Sequence, residues 1–171
     1  MLYLRLVWKV STMAIHKLIM DDFDSADYIL IAIHSSLEDY RLAYFVNREL
    51  DIRLERCIKD LGVKQKNDLA FFSRYTFEDP YQDTAWNLIR NKESITAAHT
   101  NTASLFAGQE YNVSTSVFLL PELKTADYVL KIDNAEQQDA TIVQSLLMVK
   151  HIATAYKVDH YKLKSKNNLI F

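Results

Sequence analysis

Three side chains of this sequence are of types that carry out acid–base chemistry: His34, Glu122 and Asp127. Glu122 and Asp127 flank a predicted turn, and two carboxyl groups with different pKa values form the general acid and base of many sites. His34 ends an apolar segment just before a predicted helix, where ligand sites gather in α/β sheets. Carboxylates in turns usually accept hydrogen bonds from backbone N–H groups instead. We favour that second interpretation, because nothing else in the sequence indicates a bound substrate.

The two carboxylates belong to a nine-residue motif at 120–128 that reads LPELKTADY. It resembles the signature of the IPExxxVDY family of Bacteroidetes-type bacteria. The six signature positions fall on Leu120, Pro121, Glu122, Ala126, Asp127 and Tyr128, with leucine replacing the isoleucine and alanine replacing the valine of the signature. Three other stretches are similar to that family: MAIHKL at 13–18, LEDYRLA at 37–43 and KSKNNLIF at 164–171.

The resemblance covers residues 13–171 and implies no reaction, because no activity is assigned to the family. Since it begins at Met13, we expect translation to start there. Residues 1–12 are then a non-native or disordered extension, and residues 13–171 form a single domain.

Composition excludes several classes of function. The formal net charge of −2 provides no long-range field to attract a nucleic-acid backbone, so we expect no DNA partner. The only glycines, Gly62 and Gly108, lie too far apart for a phosphate-binding loop or a dinucleotide fingerprint. No apolar run approaches the roughly 20 residues that span a bilayer. We therefore expect a cytoplasmic protein with no cofactor and no membrane partner.

The sequence predicts no metal site. The five histidines never occur at the i, i+4 spacing of a helical zinc site, and Cys57 is the single cysteine. One segment concentrates carboxylates, but it lacks the spacing and the glycine of a calcium loop. We expect these acidic residues to form a turn: Asp21, Asp22, Asp24 and Asp27.

The pattern of residues 28–34 predicts a central strand, because both of its faces are apolar. A helix follows, for which Ser35 and Glu38 have the spacing of a capping box. Further strands are predicted at 53–58, 71–77 and 84–90, and residues 92–112 are predicted to form a long connection. The predicted buried face of the helix contains Leu37, Tyr40, Ala43, Tyr44 and Leu50.

The C-terminal third predicts strands at 113–120 and 126–132, a helix at 136–150 and a strand at 152–158. A strand-strand-helix-strand order is that of half a ferredoxin-like domain. The sequence therefore predicts a single α+β domain with a mostly antiparallel sheet and two main helices.

Aromatic residues alternate with Arg74 along residues 71–77, as in the stacking platforms of some RNA-binding domains. The glycines of that motif are missing. We therefore favour a core face made by Phe71, Tyr75 and Phe77.

The C-terminal segment carries Lys164 and Lys166 ahead of an apolar end, Leu169, Ile170 and Phe171. It could contact RNA phosphate, a groove on a partner or its own domain. We expect the three apolar residues to pack on their own domain beside the strand at 152–158, since each buried side chain contributes roughly 1.5 to 3 kcal/mol.

Three hypotheses for the function follow. The leading one is a non-catalytic protein-binding or adaptor module with an unidentified protein partner. The alternative is an RNA-associated accessory protein that uses the lysine-bearing C-terminal segment and the strand at 71–77. The third is an enzyme in which His34, Glu122 and Asp127 share one cleft. The arrangement of these three side chains discriminates among the hypotheses.

Overall fold

The structure is a computed structural model that describes residues 28–65, 68–99, 111–135 and 139–171. The extension expected at 1–12, the domain start expected at 13 and the acidic segment at 21–27 lie outside these ranges. The helices are α1 (Asp39–Leu50) and α2 (Asp139–Met148). The described residues form ten strands: β1 (Tyr28–His34), β2 (Glu55–Arg56), β3 (Leu61–Gln65), β4 (Asp68–Phe72), β5 (Arg74–Asp79), β6 (Thr84–Arg90), β7 (Lys92–His99), β8 (Tyr111–Phe118), β9 (Tyr128–Asp133) and β10 (Thr154–Val158).

Six strands form one antiparallel sheet in the order β10, β1, β9, β6, β5, β2. The other four form two hairpins, β3 with β4 and β7 with β8. β1 is antiparallel to both β9 and β10, so β9 and β10 run parallel to each other with β1 between them. Since α2 lies between β9 and β10 in the chain, these elements make a split β-α-β unit of the ferredoxin-like kind. The predicted α+β class, with a mostly antiparallel sheet and two main helices, is confirmed.

The central sheet is covered on both faces, as the apolar pattern of β1 requires. Its side chains alternate between two separate buried clusters, with Ile31 in the first and Leu30 in the second. The first cluster contains the buried residues of α1 and α2. The second contains residues from β4, β8, the segment between β8 and β9, and the C-terminal segment. We call the corresponding sides of the sheet the helix face and the loop face.

Helix α1 begins three residues later than a capping box at Ser35 would place it. Its N-cap is Glu38, which has an extended backbone and no side-chain cap hydrogen bond. The hydroxyl of Ser35 instead donates to the carbonyl of His151, 2.9 Å away, and accepts from the N–H of Leu37 at 3.3 Å. The predicted capping box is therefore wrong, because a segment distant in sequence binds the hydroxyl group.

The buried face of α1 also differs from the predicted one. Leu42, Ala43 and Val46 are buried, whereas Tyr40 and Tyr44 are 58% and 60% exposed. The prediction is wrong for these two tyrosines, because tyrosine has both an apolar ring and a polar hydroxyl and can stay at the water boundary.

The predicted connection at 92–112 is wrong for its first part. β7 occupies residues 92–99 and pairs with β8 over eight residue pairs, from Lys92 with Phe118 to His99 with Tyr111. Residues 100–110 lie outside the described ranges. A hairpin outside the main sheet is held mainly by backbone pairing, so its sequence lacks the regular apolar alternation that identifies a strand.

The predicted strand at 71–77 is divided between two sheets. β4 ends at Phe72, and β5 begins at Arg74 in the central sheet. Phe72 is fully buried and Tyr75 is 8% exposed, but Phe71 is 56% exposed. The predicted core face is therefore wrong for Phe71, because the break at Ser73 changes which alternate residues point inward.

Candidate functional site

The motif at residues 120–128 forms a compact connection between β8 and β9, which we call the signature loop. Asn91, fully buried between β6 and β7, makes three side-chain hydrogen bonds to it. Its Nδ2 donates to the carbonyls of Leu123 at 2.8 Å and Ala126 at 2.9 Å. Its Oδ1 accepts from the N–H of Leu120 at 2.9 Å. One buried amide thereby fixes the backbone path of the loop.

Asn91 is a functional residue that could not be recognised from the sequence. Its partners lie 29 to 35 residues further along the chain. A polar residue directly after an apolar strand was its only signal, and ordinary strand ends give the same signal.

Glu122 connects the signature loop to the C-terminal segment. Its Oε1 accepts from the N–H of Lys164 at 2.8 Å and of Ser165 at 3.0 Å, and its Oε2 accepts from the Ser165 hydroxyl. Burial by itself would raise the pKa of Glu122. The hydrogen bonds from the Ser165 hydroxyl and from backbone N–H groups outweigh burial and hold this pKa below the ordinary 4.5. The carboxylate thus binds backbone N–H groups, as expected for a turn carboxylate, but in a distant segment.

Asp127 and Tyr128 hold the connection between β1 and α1. Asp127 Oδ2 accepts from the N–H of Ser35 at 3.0 Å, and the Tyr128 hydroxyl donates to the carbonyl of Leu37 at 2.6 Å. Burial raises the pKa of Tyr128 to about 12, so the phenol stays a neutral donor near pH 7. The last two residues of the signature therefore position the chain that leads into α1.

The three candidate acid–base residues have different partners. The Glu122 carboxylate binds Ser165 and its neighbour, and the Asp127 carboxylate binds Ser35. The His34 ring stacks on Tyr156, with ring centroids 5.7 Å apart. Within the described ranges, no hydrogen bond joins any two of the three candidates. This arrangement gives no support to an enzyme in which all three act on one substrate.

Asp127 lines a cleft of about 310 Å³ between the β1–α1 connection and the start of the β7–β8 hairpin. The cleft also contains Arg90, Lys92 and Glu93, together with serine hydroxyls. Arg90 Nε lies 3.2 Å from Glu93 Oε1 and donates to the carbonyl of Lys92 at 3.2 Å. We call this the charged cleft.

The C-terminal segment packs on its own domain, on the loop face. Leu163 and Leu169 are buried there, and Asn168 Nδ2 donates to the carbonyl of Leu119 at 2.7 Å. Lys164 and Lys166 are exposed. The expectation of self-docking is confirmed for Leu169, whose neighbours in the buried cluster include Val158 of β10.

The last two residues pack less closely than expected. Ile170 is 65% exposed, so the prediction that it is buried is wrong. The ring of Phe171 is 45% exposed and lies 4.5 Å from the guanidinium carbon of Arg74 and 5.2 Å from Lys131 Nζ. Phe171 is therefore held mainly by cation–π contacts to β5 and β9.

The outer side of α1 carries an aromatic patch, which we define as Tyr40, Tyr44, Phe45 and Arg48. The guanidinium carbon of Arg48 lies 5.1 Å from the centre of the Phe45 ring and 6.0 Å from that of Tyr44. Phe45 also contacts the His151 ring, at 5.3 Å between centroids. These contacts hold the rings side by side, while Tyr40 and Tyr44 remain mostly exposed.

Two classes of feature are not found in the described ranges. No group of three or more His, Cys, Asp or Glu side chains there is arranged to hold a metal ion. Neither α1 nor α2 is long and apolar enough to cross a membrane.

The fold and these contacts define an α+β domain whose signature loop connects three segments distant in sequence. Comparisons of the chain with protein-family models, with curated proteins and with solved structures give no match. The geometry of the described residues is therefore the basis for a functional proposal.

Proposed function

We propose that the protein is a non-catalytic protein-binding or adaptor module of the bacterial cytosol and that it belongs to the IPExxxVDY family. The main support for a binding function is the aromatic patch on α1. Tyrosine, phenylalanine and arginine are enriched at protein interfaces and supply most of the residues whose truncation weakens binding strongly. Two large, half-exposed rings beside an arginine are the composition of such a surface.

The charges beside the patch indicate the chemistry of the partner. Arg41 and Arg48 are three and four residues from Tyr44 on the same helix, so both lie next to its exposed ring. A partner surface with an apolar centre and carboxylates at its edge would complement this arrangement. We therefore propose an acidic, partly apolar protein segment as the occupant.

The hydrogen bonds of the signature loop support a non-catalytic function. The polar side chains of the loop, Glu122, Asp127 and Tyr128, bind backbone groups of other segments. A side chain that holds the backbone in this way has fewer free atoms with which to transfer protons.

The test is a pull-down of the tagged full chain from its native cytosol, followed by titration of the purified partner. The double variant Tyr40→Ser and Tyr44→Ser should bind at least about 30-fold more weakly, since two interface rings together contribute roughly 2 kcal/mol or more. Tyr81→Ser is the matched control, because Tyr81 is 97% exposed and lies outside the patch.

Both variants should melt at the temperature of the unmodified chain, since neither removes a buried side chain. Equal partner binding by the double variant and the Tyr81→Ser control would contradict the proposal. A partner surface without carboxylates would contradict the proposed chemistry.

A second candidate function, RNA association, is favoured by one observation. The ring of Phe71 is exposed on β4, where it could stack on an unpaired base. We expect that binding to a single-stranded RNA of mixed sequence would weaken steeply as salt is raised and would be reduced by Phe71→Ala. The Tyr81→Ala variant is the control for the loss of an exposed ring. Equal RNA binding by the two variants would exclude stacking on Phe71.

A further inference from the structure

The charged cleft has the size of a small-ligand site. Its volume of about 310 Å³ is at the lower end of the range of roughly 300 to 1,000 Å³ that ligand pockets show. Its walls come from four segments: the β1–α1 connection, the end of β6 with the start of β7, Ser116 of β8 and the end of the signature loop. The cleft therefore fits a small molecule better than a nucleotide.

The charges of the cleft select among small molecules. Arg90 and Lys92 are positive, and Glu93 and Asp127 are negative. A phosphate ion would be repelled by the two carboxylates, and a simple amine or metal cation would be repelled by the two basic groups. A molecule with one charge of each sign can place each charge next to its opposite. The charge pattern therefore favours a zwitterion.

Arg90 has donors available for a carboxylate. Its Nε contacts Glu93 and the carbonyl of Lys92, and these two contacts orient the side chain. In the part of the chain that the structure describes, its two terminal nitrogens have no hydrogen-bond partner. A guanidinium group presents its N–H donors in a planar fork that matches the two oxygens of a carboxylate.

Asp127 has an acceptor available for an ammonium group. Its Oδ2 accepts from Ser35, which fixes the orientation of the carboxylate. Its Oδ1 has no hydrogen-bond partner among the described residues, and each carboxylate oxygen can accept more than one hydrogen bond. Ser36 and Ser94 line the same cleft and add hydroxyl groups that can donate or accept.

We propose that the charged cleft binds a free α-amino acid. The carboxylate of the ligand lies against Arg90 and Lys92, and its ammonium group lies against Asp127. The side chain of the ligand lies toward Leu37 and Tyr128, which are the less polar lining residues. Asp127 then has two roles: one oxygen holds the β1–α1 connection and the other binds the ligand.

The test begins with a titration of the full chain with each common free L-amino acid, measured by thermal shift and by calorimetry. At least one should raise the melting temperature in a saturable way. Its N-acetyl derivative lacks the ammonium group, and its amide lacks the carboxylate. Each should bind at least about tenfold more weakly, as the loss of one charge-assisted hydrogen bond predicts. Inorganic phosphate should not compete.

Two variants and one control locate the site. Lys92→Gln and Asp127→Asn each remove one charge, and each should weaken binding by about tenfold. Lys92 is exposed, so its replacement separates lost binding from lost folding. Lys124→Gln is the control, because Lys124 is an exposed lysine of the signature loop that does not line the cleft.

Failure of every amino acid to bind at millimolar concentration would overturn the proposal. Binding that persists in both Lys92→Gln and Asp127→Asn would overturn it as well, as would acetylated and amidated forms that bind as tightly as the free amino acid. The Tyr40→Ser and Tyr44→Ser variant should bind the amino acid normally. The ligand proposal and the protein-binding proposal can therefore fail independently.

Discussion

The two faces of the central sheet are covered by different kinds of structure. On the helix face, α1 and α2 bury regularly spaced apolar side chains such as Val46 and Leu146. On the loop face, the cover consists of a hairpin, the signature loop and the C-terminal segment. These irregular segments are fixed by single polar side chains that bind distant backbone groups, namely Asn91, Glu122 and Asn168.

The two faces show two ways of covering an apolar sheet while pairing the backbone N–H and C=O groups of the covering segment. A helix pairs its own backbone groups internally and needs only an apolar stripe to cover a sheet. An irregular segment cannot do this, so its buried N–H and C=O groups need partners from elsewhere in the chain. Stability of the loop face should therefore depend on a few polar residues, whereas stability of the helix face should depend on apolar volume.

The largest test of this contrast is Asn91→Ala. Three groups of the signature loop would lose their partner, and each unsatisfied group costs about 1 to 3 kcal/mol. Since losses above about 5 kcal/mol are exceptional for a single substitution, we expect a loss of roughly 3 to 5 kcal/mol. Urea unfolding measures this change, and Asn167→Ala is the control because that side chain is exposed. A loss below about 1 kcal/mol would mean that water replaces the amide without difficulty.

A second pair of variants compares apolar burial on the two faces. Leu146 of α2 and Leu169 of the C-terminal segment are 0% and 1% exposed. Leu→Ala at each should reduce the free energy of unfolding by about 2 to 5 kcal/mol, while Ile170→Ala should stay within about 0.5 kcal/mol. A Leu169→Ala effect as small as that of Ile170→Ala would show that the C-terminal segment detaches easily in solution.

A smaller effect is expected where a polar side chain acts on the helix face. Ser35→Ala removes the hydrogen bond to the carbonyl of His151 and should cost about 1 kcal/mol. The neighbouring Ser36→Ala is the matched control, since Ser36 is exposed and Ser35 is 5% exposed. Thermal unfolding of both variants would detect the difference. Equal melting temperatures would contradict a clamping role for Ser35.

The smallest effect concerns pH. Since the folded-state pKa of Glu122 is lowered from 4.5, its carboxylate adds stability above about that pH, and this contribution is lost as the pH falls through the lowered pKa. The gap in melting temperature between the unmodified chain and Glu122→Gln should therefore be constant near neutral pH and close in acid. Glu55→Gln, at an exposed position of β2, should show no such closing gap. A gap that is independent of pH would mean that shape, not charge, holds the C-terminal segment.

The contrast between the faces also explains how much the sequence could predict. β1 and β6 were predicted at their observed bounds, because a strand buried on both faces has a continuous apolar pattern. The strand-strand-helix-strand order of the C-terminal elements was also predicted. In contrast, the capping box at Ser35 was a correct local pattern that a long-range hydrogen bond to His151 overrode.

The candidate site was predicted less completely than the fold. The signature positions Glu122 and Asp127 were identified, with the correct expectation that they bind backbone groups. Their partners could not be predicted, because they depend on which distant segments the fold brings together. Asn91 and the charges of Arg90 and Lys92 gave no recognisable local pattern, since each is an ordinary polar residue at a strand end.

The position of β1 between β9 and β10 has a consequence for synthesis of the protein. β1 leaves the ribosome early, but its two neighbours are residues 128–133 and 154–158. At about 5 to 20 residues per second, the first neighbour follows roughly 5 to 20 seconds later. During that interval a nearly uncharged, β-prone segment, YILIAIH, has neither of its sheet partners, and such segments associate readily with other chains. Cotranslational shielding of this one strand should therefore determine the yield of soluble protein more than the stability of the finished domain does.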